Sequence, residues 1–219
     1  EWLQLIENET KEMIKGTFLE NCTIIHSSTI KNIGINKIQD KILELSLIIP
    51  KKNTSGIFRM HIDRVFSKIG FGTVVTGTVQ SGNLKIGQEL EIIPGGIKVK
   101  VRGIQSHGTK TDKVTFGDRA AINFQGLDKN SVARGFQCAT PGYIKSTSEI
   151  GAKISILMNS DKEILQNQRV RIHLGTQEVM ARISILDKKS VIPGENATVI
   201  IKCEEPLVAT INDRFIIRR

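Results

Sequence analysis

Short β-rich runs separated by glycines fill the chain from Phe58 onward, and this pattern constrains the fold more than any other feature. The runs are IFRMHIDRVF, GTVVTGTVQ, QELEIIP, IKVKVRGIQ, RAAINFQ and RGFQCA. They recur at intervals of roughly ten residues, which is typical of all-β sandwiches and barrels. Glycine suits the intervening turns because it adopts positive φ without strain. The pattern predicts a β-barrel over residues 57–139.

A second β-rich segment, residues 140–219, follows the stretch CATPGYIKST. Its runs are KISILMN, QRVRIHL, QEVMARISIL, ENATVIIKCEEP and RFIIRR. The stretch RVRIHLGTQEVMARISIL predicts a hairpin with Gly175 and Thr176 as its tight turn. The predicted fold class is therefore mainly β, with two consecutive β-barrels.

The first fifty residues have a different pattern and predict an α/β segment. ENETKEMIKGTF is a helix with Gly16 as its stop, and Thr23 to His26 is a short strand. GINKIQDKILELSLII places Ile35, Ile38, Ile42, Leu45 and Ile49 on one helical face. Because helix–strand–helix is too small to cover a sheet, residues 1–50 are expected to end a larger α/β domain. Residues 51–56 are the predicted linker.

Charge is distributed unevenly and points to a polyanionic partner. The net charge is zero over residues 1–56, +6 over residues 57–139 and +3 over residues 140–219. Such an excess is typical of nucleic-acid binding, although a generally basic surface has the same composition. No apolar run is long enough to span a membrane. Three cysteines without a CxxC pair argue against disulfides and zinc and favour the cytoplasm.

The glycines Gly70, Gly72 and Gly77 do not form a nucleotide site. A dinucleotide fingerprint needs a helix after its glycines, whereas TVVTGTV follows here, and no P-loop lysine is present. Residues 36–40, NKIQD, have one residue too many for the guanine-reading motif Asn-Lys-x-Asp. No nucleophile–base pair appears either, so we do not expect this chain to be an enzyme by itself.

The glycine layout resembles a known family. Phe66, Gly70, Gly72, Val74 and Gly77, followed by SGNLKIGQELEI, resemble the second domain of the translational GTPases of the elongation factor Tu class. HLGTQEVMARI and the terminal DRFIIRR resemble the third domain of the selenocysteine-specific elongation factors. IIHSSTIKNIGINKIQDKI resembles the end of the GTPase domain, with Ser27 and Ser28 in the loop that contacts guanine. Ser28 stands where the family more often has alanine.

The resemblance implies a set of partners. It implies the middle portion of a factor that binds selenocysteyl-tRNA and delivers it to the ribosome with GTP. GTP and Mg²⁺ would belong to a GTPase region outside this chain, and an mRNA hairpin to C-terminal domains outside it. We expect a cytoplasmic monomer with no cofactor and no membrane partner. Two alternatives are open: another translational GTPase of the elongation factor Tu or initiation factor class, or a stand-alone β-barrel module that binds proteins.

The resemblance also assigns an aminoacyl pocket to Asp63, Arg64 and Arg134. A selenol is largely ionised at neutral pH, whereas the serine of the precursor tRNA is neutral. Guanidinium groups therefore discriminate by charge, and a carboxylate accepts hydrogen bonds from the α-amino group. The assignment gives Asp63 the amino group and both arginines the selenolate. A structural ion pair at the barrel rim is the alternative.

Further candidates for RNA contact lie on both predicted barrels. Phe71 either stacks on the terminal adenine or caps the barrel. Lys98, Lys100 and Arg102 occupy every second position, so they share one strand face that either follows RNA phosphates or is simply solvated. Arg169 and Arg171 alternate likewise in the third segment, where this class contacts the tRNA stems.

Overall fold

The computed structural model describes residues 1–48, 56–68, 70 and 72–219 of the chain, without the side chain of Lys68. The predicted linker lies outside these residues except for Gly56, and Phe71 lies outside them as well. The chain divides into two compact units, Glu1–Lys51 and Lys52–Arg219. Within the described ranges, no helix has the length and apolar character needed to cross a bilayer.

The described part of the first compact unit contains two helices, α1 (Trp2–Ile14) and α2 (Ile35–Ile48), joined by an irregular segment. Helix α1 ends just before Gly16, which has a φ of +72°, so the predicted stop is confirmed. The predicted strand from Thr23 to His26 is wrong, because this segment is irregular. A strand needs a neighbour to complete its hydrogen bonds. The described part of this unit offers only an isolated bridge between Ser28 and Ile33.

The second compact unit begins with a closed barrel, which confirms the predicted β class. Its strands are β1 (Arg59–Lys68), β2 (Gly72–Ser81), β3 (Asn83–Lys85), β4 (Glu89–Ile93), β5 (Ile97–Ser106), β6 (Thr109–Thr111), β7 (Lys113–Thr115), β8 (Arg119–Gln125) and β9 (Gln137–Ala139). The order β4-β9-β1-β2-β8-β5 closes through β4–β5 pairing. Met60, Ile62 and Ile122 are fully buried in its interior. We call β1–β9 the barrel.

The strands that follow form an open, curved sheet. They are β10 (Ser146–Ser155), β11 (Ile164–Leu165), β12 (Arg169–Leu174), β13 (Gln177–Ile185), β14 (Ser190–Val191), β15 (Asn196–Val208) and β16 (Phe215–Arg218). The order is β10-β15-β13-β12-β16, with β11-β14 as a separate ribbon. Across the described residues, β10 and β16 do not pair with each other, so we call β10–β16 the half-barrel. Its core contains Ile172, Ile183 and Ile201.

The predicted hairpin in the half-barrel is confirmed. Leu174 at the end of β12 faces Gln177 at the start of β13, so Gly175 and Thr176 form the turn. Gly175 has a φ of +57°, the conformation that such a turn requires and that glycine adopts without strain.

A buried arginine links the barrel to the half-barrel. The Arg59 side chain is 5% exposed, and its guanidinium donates to both carboxylate oxygens of Asp213 at 2.7 Å. It also donates to Gln137 Oε1 and Thr210 Oγ1, each at 2.7 Å. Close by, the Thr176 hydroxyl donates to the backbone oxygen of Ile62 at 2.7 Å. These bonds fix the end of β1 that precedes the predicted pocket.

Candidate functional site

A β-bulge in β1 places Asp63 and Arg64 on the same face of the barrel. Ile62 pairs with Gly77 of β2 and Arg64 pairs with Thr76, so Asp63 is the extra residue. In an unbroken strand, consecutive side chains would point to opposite faces. A bulge changes the direction of the side chains around it. Here the side chains of Asp63 and Arg64 both lie on the outer face of the barrel, as does that of Thr76. The predicted acid–base pair is therefore brought together by backbone geometry.

Gly77 allows the close approach of β1 and β2 at this bulge. A Cβ atom on Gly77 would overlap the backbone oxygen of His61 and lie 2.8 Å from Met60 Cγ. Because backbone oxygen cannot move without breaking the strand pairing, only glycine fits at this position.

The Asp63 carboxylate accepts hydrogen bonds from two neighbouring strands. The Thr76 hydroxyl donates to Oδ1 at 2.7 Å. Arg119, the first residue of β8, donates from Nη2 to Oδ1 at 2.9 Å and from Nη1 to Oδ2. The Asp63 side chain is 21% exposed and that of Arg119 is 46% exposed, so the pair lies at the surface with its cationic end open.

Charge and hydrogen bonding keep this carboxylate ionised. Burial raises the pKa of Asp63, but the hydrogen bonds from Arg119 and Thr76 and the charges of Arg119 and Arg64 together lower it by more than burial raises it. The net pKa therefore lies below its ordinary value. The same hydrogen bond raises the pKa of the Arg119 guanidinium. The site thus holds one fixed carboxylate and two guanidiniums, those of Arg64 and Arg119.

Arg134 lies near this cluster through its backbone. The amide of Gly135 donates to the oxygen of Ile62 at 3.1 Å, and the amide of Ile62 donates to the oxygen of Phe136 at 2.8 Å. The Arg134 side chain is exposed and forms no ion pair within the part of the chain that the structure describes. The ion pair with Asp63 is made by Arg119 instead, and the predicted role of Arg134 remains a prediction.

Arg119 is a partner of Asp63 that the sequence pattern does not predict. It opens the run RAAINFQ, in which exposed, buried and half-buried positions are mixed, so alternation does not single it out. Its proximity to Asp63 depends on the pairing of β2 with β8, which sets Arg119 opposite Thr78. The one feature of the sequence that indicates a role for Arg119 is a charged residue at the start of a predicted strand.

A cavity of about 550 Å³ opens on the barrel's outer surface beside the cluster. Thr76 pairs with Ala121 and Val74 pairs with Asn123, and three of these four residues line the cavity. Phe66, Arg102 and Gln105 line it too. The cavity therefore begins at Ala121, the direct partner of the threonine whose hydroxyl binds Asp63. It combines apolar walls with polar groups, as ligand pockets do.

The other predicted RNA contacts are placed on exposed faces. Lys98, Lys100 and Arg102 are exposed and alternate with buried residues of β5, as predicted. Glu89 and Glu91 of β4 lie directly opposite Lys100 and Lys98, so the net charge of this face is small except at Arg102.

In the half-barrel, both predicted arginines already have acidic partners. Arg169 forms a two-point pair with Glu204, with both N–O distances at 2.7 Å, and Arg171 Nε lies 3.1 Å from Glu178 Oε1. Arg171 also lies opposite Arg218 of β16. Both pairs are exposed, and surface ion pairs of this kind contribute little to stability.

The predicted guanine-loop residues lie in the first compact unit. Ser27 is exposed and irregular, and the Ser28 backbone forms the bridge with Ile33 at 3.0 Å in both directions. The Ser28 hydroxyl accepts a hydrogen bond from the Lys31 amide at 3.2 Å. The loop is closed by its own backbone, and its role stays a prediction.

Comparison with known proteins assigns both β segments. Residues 72–139 match the family model "Elongation factor Tu domain 2", and residues 151–219 match "Selenocysteine-specific elongation factor, beta-barrel domain". A selenocysteine-specific elongation factor from Desulfomicrobium baculatum is 35% identical over 218 residues, which is 100% of this chain. This chain is a homologue of the selenocysteine-specific elongation factors. The family resemblance seen in the sequence is confirmed.

The chain spans about a third of that relative, 34% of its length. Two solved structures share the fold. Apo translation elongation factor SelB from Methanococcus maripaludis has a TM-score of 0.86 and 26% identity, covering 99% of this chain and 51% of that one. A bacterial selenocysteine-specific elongation factor, EF-Sec, has a TM-score of 0.81 and 24% identity, covering 98% of this chain and 34% of that one.

Proposed function

We propose that this chain is the tRNA-binding middle portion of a selenocysteine-specific elongation factor. It would hold selenocysteyl-tRNA for GTP-dependent delivery to the ribosome. Homology over the whole chain supports this proposal, as does the +6 charge of residues 57–139. GTP, Mg²⁺ and the mRNA hairpin would bind parts of a longer polypeptide. Residues 1–50 would be the end of the GTPase domain. Residues 57–139 would bind the aminoacyl end of the tRNA, and residues 140–219 would bind its stem.

The open cationic end of the Asp63–Arg119 pair is the observation that carries the proposal. An arginine has five N–H donors. Two are directed at Asp63, which leaves three on a side chain that is 46% exposed. A selenolate accepts such charge-assisted bonds, whereas a neutral serine hydroxyl forms only ordinary hydrogen bonds with the same donors. Arg64, on the same face, adds a second positive charge.

The cavity beside the cluster would take the terminal nucleoside. The amino acid is esterified to the 3′-terminal ribose, so the base must bind close to the side-chain site. Phe66 is 40% exposed at the cavity, and an aromatic face there can stack on a base. Phe71 is proposed as a second stacking residue. Lys98, Lys100, Arg102, Arg169 and Arg171 would contact backbone phosphates and supply affinity without reading the amino acid.

A pair of matched tRNAs tests the proposed function. The same tRNA body is charged with selenocysteine or with serine, and its binding to the 219-residue chain is measured by fluorescence anisotropy. We expect the selenocysteyl form to bind at least about tenfold more tightly, because serine loses one charge-assisted hydrogen bond. Affinity for both forms should fall with salt while their ratio changes less. Equal binding of the two forms would refute the proposal.

A further inference from the structure

The Thr76 hydroxyl contacts the candidate pocket through Asp63. Its hydroxyl donates to Asp63 Oδ1 at 2.7 Å, and the same oxygen accepts a bond from Arg119 Nη2 at 2.9 Å. Thr76 is paired on both sides, with Arg64 of β1 and Ala121 of β8. A β-branched side chain in a central strand has restricted rotation about χ1. The hydroxyl is therefore a fixed donor on a rigid element.

We propose that Thr76 is a positioning residue that orients the Asp63 carboxylate and, through it, the Arg119 guanidinium toward the aminoacyl side chain. This inference rests on the proposed function and adds to it a specificity determinant that does not touch the ligand.

The physical reason is the freedom of a carboxylate with a single partner. Asp63 is the extra residue of a bulge, so it has no cross-strand partner that aligns its side chain. With Thr76 holding Oδ1, the carboxylate plane is set by a donor that does not move with the arginine. Without that donor, the carboxylate turns with the half-exposed Arg119 side chain, and the remaining N–H groups no longer point in one direction. Discrimination needs those donors preorganised, because disordered donors must be ordered on binding.

Thr78 provides a matched control on the same strand and face. It lies two residues along β2, opposite His61 of β1 and Arg119 of β8. Among the residues that the structure describes, its hydroxyl forms no hydrogen bond, in contrast to that of Thr76. Thr78→Val therefore makes the same chemical change beside the same arginine without removing a donor from Asp63.

The experiment compares Thr76→Val, Thr76→Ser and Thr78→Val in the 219-residue chain. The first readout is the ratio of affinities for selenocysteyl- and seryl-tRNA. We expect Thr76→Val to reduce this ratio by roughly fivefold to tenfold, the equivalent of one hydrogen bond. Thr76→Ser should retain most of the ratio, and Thr78→Val should leave it unchanged. Affinity for deacylated tRNA should be the same in all four proteins.

The second readout separates this inference from the proposed function. NMR titration of the Asp63 carboxyl group requires no ligand, and Thr76→Val should raise its pKa toward the ordinary value because one stabilising hydrogen bond is lost. Arg64 and Arg119, the charged groups facing Asp63, are unchanged in every variant. An unshifted pKa, or a ratio reduced equally by Thr78→Val, would overturn the inference. A wild-type chain without any selenocysteyl preference, but with the expected pKa change, would instead refute the proposed function.

Discussion

The ion pair between Arg59 and Asp213 predicts how strongly the barrel and the half-barrel depend on each other. Asp213→Ala removes both carboxylate oxygens and leaves a guanidinium that is 5% exposed without a counter-ion. The remaining acceptors, Gln137 and Thr210, are neutral. Breaking a buried pair on one side costs about 3–5 kcal/mol. We therefore expect Asp213→Ala to lower the free energy of unfolding by about that amount.

Urea unfolding of the 219-residue chain, followed by circular dichroism, measures this cost. For slopes of about 1–3 kcal/mol/M, the midpoint should fall by at least about 1 M. Arg59→Met is the informative partner, because it removes the buried charge and keeps an apolar stem. Asp213 is 20% exposed and can regain water, so Arg59→Met should cost less than Asp213→Ala. In the Arg59→Met background, Asp213→Ala should cost less than in the wild type, because the bond from the Thr210 amide to Asp213 Oδ2 is still lost but the ion pair is already absent. A loss below about 0.5 kcal/mol for Asp213→Ala alone would show that the pair does not bear on stability.

Two further predictions concern β1 and its neighbour. Burial and the charge of Arg59 lower the pKa of His61 to about 4, with Asp213 acting in the opposite direction. Because the unfolded value is about 6.5, stability should be complete above that pH and fall by up to about 3 kcal/mol as the pH approaches 4. The test is the urea midpoint as a function of pH, measured for the wild type, for His61→Gln and for the exposed control His107→Gln. Equal pH profiles for the wild type and His61→Gln would contradict the predicted effect of His61. Gly77→Ala should lower the free energy of unfolding by about 1–3 kcal/mol, because the added Cβ would overlap the backbone of β1. An unchanged melting temperature would contradict the close approach of β1 and β2.

Local signals in the sequence were sufficient for much of the β architecture. The turn at Gly175 and Thr176 was predictable because a two-residue turn needs a residue with positive φ between two alternating runs. The exposed face of Lys98, Lys100 and Arg102 followed from strand alternation. The strand at Thr23 to His26 could not be judged in the same way, because its formation depends on a neighbour that local sequence does not specify.

Long-range contacts explain what the sequence did not disclose at the site. Asp63 and Arg119 are 56 residues apart, and they meet only because β2 pairs with β1 on one side and β8 on the other. The bulge that places Arg64 on the same face as Asp63 could not be predicted, because the sequence around it does not distinguish a bulge from a regular strand. Arg134 stays a predicted selenolate contact: its neighbour Gly135 bonds to β1, and within the described residues its side chain forms no ion pair with Asp63.

The relative effects of Arg119→Gln and Arg134→Gln on amino-acid discrimination show whether the guanidinium bound to Asp63 recognises the selenolate. For each protein, the ratio of the dissociation constants for seryl- and selenocysteyl-tRNA is measured at one salt concentration. We expect Arg119→Gln to lower the ratio about tenfold or more, and a loss of the ratio in Arg134→Gln as well would support the predicted contact of Arg134 with the selenolate. A ratio that survives Arg119→Gln would contradict the assignment of selenolate recognition to the guanidinium held by Asp63.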